Sequence, residues 1–414
     1  MNADDRVCHF VATRGCPASV PVWSWRAERM GRKKKFRIDF RKNRSSRPRK
    51  KDLTDRVISQ DEVLDEDLTR EERIGGRGDL TRRGTVIGQE ASDKAGCETP
   101  LPVIFEPRHP DSRPGRVVAV QGLICQVEDS EGRSYRCLVR RLLKRLATDQ
   151  RNIVVVGDQV FFHPLPGSED EGVIETILPR RAGLARTSKG KQHVIVANVD
   201  QVVIVASAAM PRLKPHLIDR IIVAAEKSKI EPVICINKID LVDPADLEPL
   251  IGLYSQLGYR VLLVSAVTDF GLPTLIRTLK DKISVLAGQS GVGKSSLLNA
   301  IDPALRIPIA PVSEETEKGR HTTTTARLHR FRFGGYVADT PGIRQFQLWD
   351  LTPDEVVNYF RDLRVYVNGC RFPNCLHLEE TDCAVKDAVA DGLIDERRYE
   401  SYCHLVLDEE AEEE

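Results

Sequence analysis

The sequence predicts a multidomain chain: an N-terminal OB-type β-barrel, a central α/β domain of the P-loop type, and a C-terminal α-helical domain built around a metal. Three observations carry this expectation. Between Gly115 and about Arg181, short apolar runs are separated by turn residues, the pattern of a small barrel. From about Gln192, strand-like and helix-like runs alternate around Gly288-Gln289-Ser290-Gly291-Val292-Gly293-Lys294-Ser295, a match to G-x-x-x-x-G-K-[ST]. Past Asp350 stand three cysteines and a histidine, Cys370, Cys375, His377 and Cys383, close together in the chain.

The chain has 414 residues, 41% hydrophobic and 30% charged, enough for several cored domains. Its net charge of +1 conceals local asymmetry. Gly31 to Lys51 is dense in Lys and Arg with Asp39 as its single acid, and Asp408 to Glu414 is almost wholly acidic. A basic arm favours a polyanion such as nucleic acid, against the plainer reading of a solvated tail. The first 112 residues hold little that could bury a core and are expected to be mostly disordered. Within them, Met30 opens the basic arm directly and is a candidate natural start, leaving Met1 to Arg29 as an extension.

No apolar run reaches the roughly 18 residues that span a bilayer, and the N-terminus lacks the apolar stretch of a signal peptide. The expectation is a cytoplasmic monomer without a membrane partner. Ten cysteines in such a chain do not read as a disulfide framework.

In residues 113–182, Val117 to Val120, Leu123 to Val127, Tyr135 to Val139, Val154 to Val156, Gln159 to His163 and Gly172 to Ile177 are strand candidates. An OB-type barrel fits them, with a generic ligand-free β-domain as the alternative. In residues 183–349, Val194 to Val205 reads as one buried strand, Lys214 to Lys227 as a helix, and Pro232 to Ile236 as a strand. Asp246 to Gly258 is helical, Val261 to Val264 a strand, Leu272 to Leu279 a helix, Ile283 to Ala287 a strand and Ser295 to Ile301 a helix. Such alternation implies a parallel sheet covered on both faces. Residues 350–414 read as helical, with the Cys/His cluster embedded and an acidic tail.

The chemistry follows from the motifs. The glycines of Gly288 to Gly293 let backbone N–H groups wrap phosphates at a helix N-terminus. Lys294 is expected on the β- and γ-phosphates and Ser295 on Mg2+, with Ser296 beside it. Asn237-Lys238-Ile239-Asp240, at a strand end, has the N-K-x-D form that selects guanine. The Asp240 carboxylate accepts from the base N1–H and 2-amino groups, a donor pair adenine lacks, and an unpaired polar site rejects the wrong base. Ser265-Ala266 after the next strand would support the base from its other side. Asp339-Thr340-Pro341-Gly342 matches D-x-x-G, with Asp339 toward Mg2+ and the Gly342 N–H toward the γ-phosphate. The Thr-rich run before it fits a first switch; Thr323 is the preferred Mg2+ ligand among its threonines. Together these define a GTP- and GDP-binding site.

The order is unusual. N-K-x-D and Ser265-Ala266 precede the P-loop, so the chain is circularly permuted, and D-x-x-G runs directly into the Cys/His domain. In that domain, three thiolates and one imidazole suit a closed tetrahedral site, hence one structural Zn2+ per chain.

With the permuted order, Gly319-Arg320-His321-Thr322-Thr323-Thr324, Asp339-Thr340-Pro341-Gly342 and C-x4-C-x-H-x5-C on the page, the chain closely resembles the ribosome small-subunit-dependent GTPase A (RsgA) family. Gly157-Asp158-Gln159-Val160 and Gly172-Val173-Ile174-Glu175 resemble that family's OB domain. The likeness spans about Gly115 to Leu407. It implies a GTPase that binds the 30S ribosomal subunit and its rRNA, assists late maturation, hydrolyses GTP when the subunit stimulates it, and is then released. Ile343 stands where many GTPases carry a water-orienting Gln, which leaves His321 as the candidate catalytic residue; a loop histidine contacting RNA or backbone is the other reading. The alternative function is a GTP-gated RNA-binding switch with negligible hydrolysis.

Overall fold

The computed structural model describes residues 107, 109–140, 142–143, 153–188, 191–307, 326–339 and 352–407, and the backbone of four strands at 34–40, 68–73, 82–90 and 103–104; the side chains of residues 185–193 and 339 are outside this description. Strands β1 (Lys34–Phe40), β2 (Leu68–Arg73), β3 (Arg82–Glu90) and β4 (Val103–Ile104) form an antiparallel sheet in which β3 pairs with all three others. These segments therefore depart from the expectation of disorder. Alternating β-formers such as Phe36, Ile38 and Phe40 supply a strand pattern that the high charge density masks.

The barrel consists of β5 (Arg113–Gln121), β6 (Ile124–Asp129), β7 (Ser134–Val139), β8 (Gln159–Pro164) and β9 (Glu171–Ile177). Neighbours run β5-β6-β7-β9-β8, and β5 pairs with β8 to close the ring; β7 and β9 are parallel and the other pairs antiparallel. This is the five-stranded Greek-key arrangement expected of an OB-type barrel. Val117, Val127, Tyr135, Cys137, Val160, Phe162 and Ile174 fill it. Val154 to Val156 makes no strand and contributes one bridge, Val156 to Val196. Asp158 is fully buried and takes a two-pronged ion pair from Arg180 at 2.7 and 2.9 Å. The Gly-Asp signature noted in the sequence is thus a brace for the barrel wall.

Next come the hairpin β10 (Gly183–Ser188) and β11 (Lys191–Ala197), then β12 (Gln201–Ser207). The single strand expected over Val194 to Val205 is two strands. Asn198 breaks it with a left-handed φ of 55°, its side chain bonding the Gly157 carbonyl and the Arg181 amide. The Asp200 carboxylate then accepts from the Ile283 amide at 2.8 Å. Polar residues inside an apolar run mark a corner here because each has a backbone partner waiting.

Helix α1 (Pro215–Lys227), β13 (Glu231–Asn237), α2 (Glu248–Gln256), β14 (Arg260–Leu263), α3 (Leu272–Leu279), β15 (Ile283–Ala287), α4 (Lys294–Ile301), β16 (Arg327–Arg330) and β17 (Tyr336–Asp339) complete the central domain. The strand order is β14-β13-β12-β15-β17-β16, all parallel except β16. Alternate residues of one strand serve opposite cores: Val202 and Ile204 pack with Ile218, Ile222 and Tyr254, whereas Val203 and Val205 pack with Leu275, Leu297 and Leu298. Burial on both faces explains the near-continuous apolar composition of these strands. The barrel joins this sheet through one β16–β5 pairing, Arg327 to Ala119. Beside it, Glu128 accepts from Arg330 at 2.5 Å and from the Tyr336 hydroxyl at 3.0 Å.

The C-terminal domain holds α5 (Pro353–Val356), α6 (Ala384–Ala390) and α7 (Glu396–Leu407). The cluster is not embedded in helix, as expected, but sits in irregular chain between α5 and α6, since four ligands facing one point demand turns a helix cannot make. No helix among the described residues is long and apolar enough to cross a membrane.

This domain is clamped to α1. Arg398, 1% exposed, pairs with Asp219 on α1 and forks onto Asp362 at 2.9 and 3.1 Å. Its guanidinium lies 4.5 Å over the Phe360 ring, and the Tyr254 hydroxyl donates to Asp219 at 2.8 Å. Burial pushes the Asp219 carboxyl up; burial alone would also lower Arg398, but the two facing carboxylates outweigh it and hold the guanidinium charged. A second arginine, Arg361, donates to Glu226 at 2.8 Å and stacks over Tyr259 at 4.2 Å. Truncating Arg398 to Ala strands two buried carboxylates and is expected to cost about 3–5 kcal/mol in denaturant unfolding. Arg361→Ala, at a half-exposed pair, should cost about 1 kcal/mol. Equal losses would show that Arg398 is not the anchor.

Candidate functional site

The central strands end on one side of the sheet, and the expected nucleotide residues gather there. β15 leads into the P-loop and α4. Gly288 has φ 141°, and a Cβ there would lie 2.0 Å from the Val205 carbonyl oxygen; Gly293 has φ 92°, and its Cβ would meet the Asn237 amide nitrogen at 2.5 Å. Both positions therefore require glycine, and the loop wraps a backbone cradle that any side chain would fill. Lys294 opens α4 and its ammonium donates to the Gly288 and Gln289 carbonyls, each at 2.7 Å. Ser290 is exposed and Val292 is buried beneath the loop; Ser295 and Ser296, in the first turn of α4, are half-buried.

β13 ends at Asn237, two strands away from β15. Asn237 is buried, and its side-chain amide donates to the Val292 carbonyl at 2.9 Å. Its Oδ1 has no hydrogen-bond partner within the protein, an unmet acceptor at the floor of the cleft. Lys238 takes a left-handed φ of 62°, and its ammonium reaches the next P-loop carbonyl, Gly291, at 2.9 Å. Ile239 is buried in a short 3-10 turn, Ile239–Leu241. Asp240 is exposed and its Oδ1 accepts from the Ser265 hydroxyl at 2.5 Å. Ser265 is fully buried, and its oxygen in turn accepts from the amides of Val267 and Thr268. Ala266 beside it is half-buried. The N-K-x-D turn, the Ser-Ala turn and the P-loop thus share one hydrogen-bonded cleft.

Asp339 closes β17, the strand next to β15, at the same sheet edge. Its side chain, together with Gly342, Thr323 and His321, lies outside the described residues. The loop between β12 and α1 also borders the cleft and carried no sequence signal. Neither Asp219 nor Arg398 was foreseen, because a long-range ion pair leaves no local pattern.

In the C-terminal domain, one ligand atom each from Cys370, Cys375, His377 and Cys383 lies within 4.8 Å of the others. His377 Nδ1 is 3.4 Å from both the Cys370 and Cys383 sulfurs. The frame around it is fixed: the Tyr402 and Tyr399 hydroxyls donate to the Leu376 and His377 carbonyls at 2.7 Å, and Glu380 caps the Leu376 and Leu378 amides. Burial, then the neighbouring thiols, push the Cys375 thiol up to about 12. Burial lowers His377, which keeps the imidazole neutral and its lone pair free for a cation. Three sulfurs and a nitrogen converging without a carboxylate make a set that fits a metal of borderline softness.

A parallel sheet with a P-loop, a guanine-type turn and a strand-end Asp, threaded in permuted order, defines a circularly permuted P-loop GTPase carrying a barrel and a Cys3His domain. A family model described as RsgA GTPase matches residues 177–349. A small ribosomal subunit biogenesis GTPase RsgA from Sodalis glossinidius is 41% identical over 73% of this chain and 87% of its own length. The protein of the same name from Thermotoga petrophila is 44% identical over 71% of this chain and 95% of its own length. Among solved structures, YjeQ from Thermotoga maritima aligns with a TM-score of 0.59 at 39% identity, covering 72% of this chain and 98% of that one. YloQ, described as a circularly permuted GTPase, aligns at 0.58 with 31% identity over 73% and 97%. The chain belongs to the RsgA GTPase family and is a GTP-hydrolysing enzyme.

Proposed function

We propose that the chain binds the 30S ribosomal subunit through rRNA, assists its late maturation in the cytoplasm as a monomer, and hydrolyses GTP under stimulation by that subunit. The observation that carries the nucleotide half is the cleft itself, where Asn237 and Lys238 bond two successive P-loop carbonyls while Ser265 orients Asp240. The names of the relatives carry the ribosomal half, and the barrel supports it because OB folds bind single-stranded nucleic acid.

In this reading the Gly288–Ser295 amides and Lys294 hold the phosphates. Ser295, Thr323 and Asp339 would hold Mg2+, which would supply positive charge to the phosphates. Asp240 accepts from the guanine N1–H and 2-amino groups, and the unmet Asn237 Oδ1 faces a donor of the bound nucleotide. Gly342 senses the γ-phosphate. Zn2+ on Cys370, Cys375, His377 and Cys383 is structural, since the protein fills all four positions. His321 orients or deprotonates the attacking water in place of the Gln that Ile343 replaces. Replacing His321 by Ala should lower 30S-stimulated turnover by about 10²-fold or more while GTP affinity stays near wild type; unaltered stimulated turnover would remove it from the mechanism. Sedimentation with 30S subunits in a non-hydrolysable GTP analogue tests the whole reading, and failure to co-sediment would refute it.

A further inference from the structure

The loop joining β12 to α1 carries no nucleotide motif, yet it touches both halves of the cleft. Its first residue is tied to the guanine-type turn by the Ala208 amide, which donates to the Asn237 carbonyl at 2.8 Å. Its middle abuts the P-loop, where a Cβ at Gly291 would sit 3.8 Å from Pro211 Cδ. The Met210 side chain is 77% exposed, so this residue acts through its backbone. Its carbonyl accepts from the Lys238 ammonium and from the Ser207 hydroxyl, the latter at 3.1 Å. Both lone pairs of that oxygen are therefore engaged. Ser207 itself is buried at the end of β12.

Lys238 is anchored by two carbonyls on opposite sides, Gly291 in the P-loop and Met210 in this loop. Its methylene stem consequently spans the gap between the phosphate cradle and Asp240, and a base read by Asp240 must lie against it. We propose that Ser207 is a positioning residue for nucleotide binding: by aiming the Met210 carbonyl it fixes the Lys238 ammonium and hence the wall on which the base rests. The proposal rests on Asn237 to Asp240 being the guanine reader. Without the Ser207 hydroxyl the carbonyl is free to turn, and a long flexible side chain regains rotamers that binding must then freeze again. Lys238 lies at the base end of the cleft, so the penalty falls equally on GDP and GTP. Asp240 is untouched, so guanine is still preferred over adenine.

The test uses the full chain and fluorescent GDP and GTP analogues. Ser207→Ala should raise both dissociation constants by the same factor, about fivefold for one lost hydrogen bond, through faster dissociation. In a Lys238→Met background the same change should add nothing, because Ser207 acts through Lys238. Ser207→Cys, which keeps the volume with a weaker donor, should weaken both nucleotides by a smaller factor and serves if the Ala variant does not fold. Wild-type affinity in Ser207→Ala or Ser207→Cys, an effect on one nucleotide only, or a full further loss in the Lys238→Met background would overturn the proposal. A wild-type chain that binds neither analogue would instead sink the reading of the cleft.

Discussion

Changing Asp240 to Asn should lower GTP affinity by about 10²–10⁴-fold and transfer preference to xanthosine triphosphate. Two hydrogen bonds to a charged acceptor are at stake, each contributing about 1.5–3 kcal/mol, and the conversion to affinity follows at 1.4 kcal/mol per decade. The asparagine amide offers one acceptor and one donor. Xanthine keeps N1–H but carries a carbonyl where guanine has the 2-amino group, so the new pair matches it. Ser265 strengthens the case for a clean exchange. Its hydroxyl donates to Asp240 Oδ1 at 2.5 Å and its own oxygen is saturated by two backbone amides, so an Asn side-chain oxygen would be gripped in the same place and the amino group pushed toward the base. Competition binding of the two triphosphates to the variant is the measurement. Loss of GTP binding with no gain for the xanthine nucleotide would mean that Asp240 does not face the base.

Stripping the metal proposed for the Cys3His site should unfold the C-terminal domain. Structural zinc supplies on the order of 10–16 kcal/mol of apparent binding energy in small sites, comparable to the whole stability of a typical domain. Here the apolar core is small, and Cys383 belongs to it alongside Phe360, Leu363 and Tyr402. A strong chelator, or Cys370→Ser, should abolish protection of residues 352–407 in hydrogen exchange while leaving the barrel protected. Since the Cys375 thiol must lose a proton that burial and its neighbours hold up to about 12, metal binding releases protons. Affinity should accordingly fall as pH is lowered. Stoichiometric zinc in the native chain by elemental analysis, with normal protection after complete removal, would show the metal to be dispensable.

Much of this was legible in the sequence because the signals are local. Gly288 to Ser295 does lie between a strand and a helix, as its glycine pattern required, and the boundaries of α3 and β15 were as read, since both are short apolar segments bracketed by Gly, Pro or Asp. The guanine-type turn was equally plain. What the sequence hid depends on distance. Val194 to Val205 read as one strand, and Asn198 divides it because Gly157 and Arg181 supply its partners. The bonds from Asn237 and Lys238 to the P-loop join residues 55 and 53 positions apart, and Arg398 meets Asp219 across 179. The charged strands β1 to β3 were missed because charge density speaks against a core even where β-formers alternate.

The clamp between α1 and the Cys3His domain decides where that domain is anchored. Asp339 closes a strand of the central sheet and Thr352 begins a domain bolted to that same sheet's flank by Arg398 and Arg361. Both Asp339 and the Cys3His domain are therefore held on the central sheet. The barrel is differently held. It joins the sheet by the β16–β5 pairing, where Arg330 and Tyr336 grip Glu128, and meets β11 and Asn198 through Val156 and Gly157. Burial and Glu128 raise the Tyr336 hydroxyl to about 12, which extends the pH range over which it donates to Glu128. Tyr336 begins the strand that Asp339 ends. Strand β17 thus carries the D-x-x-G aspartate at one end and, three residues away, the tyrosine that holds the barrel at the other.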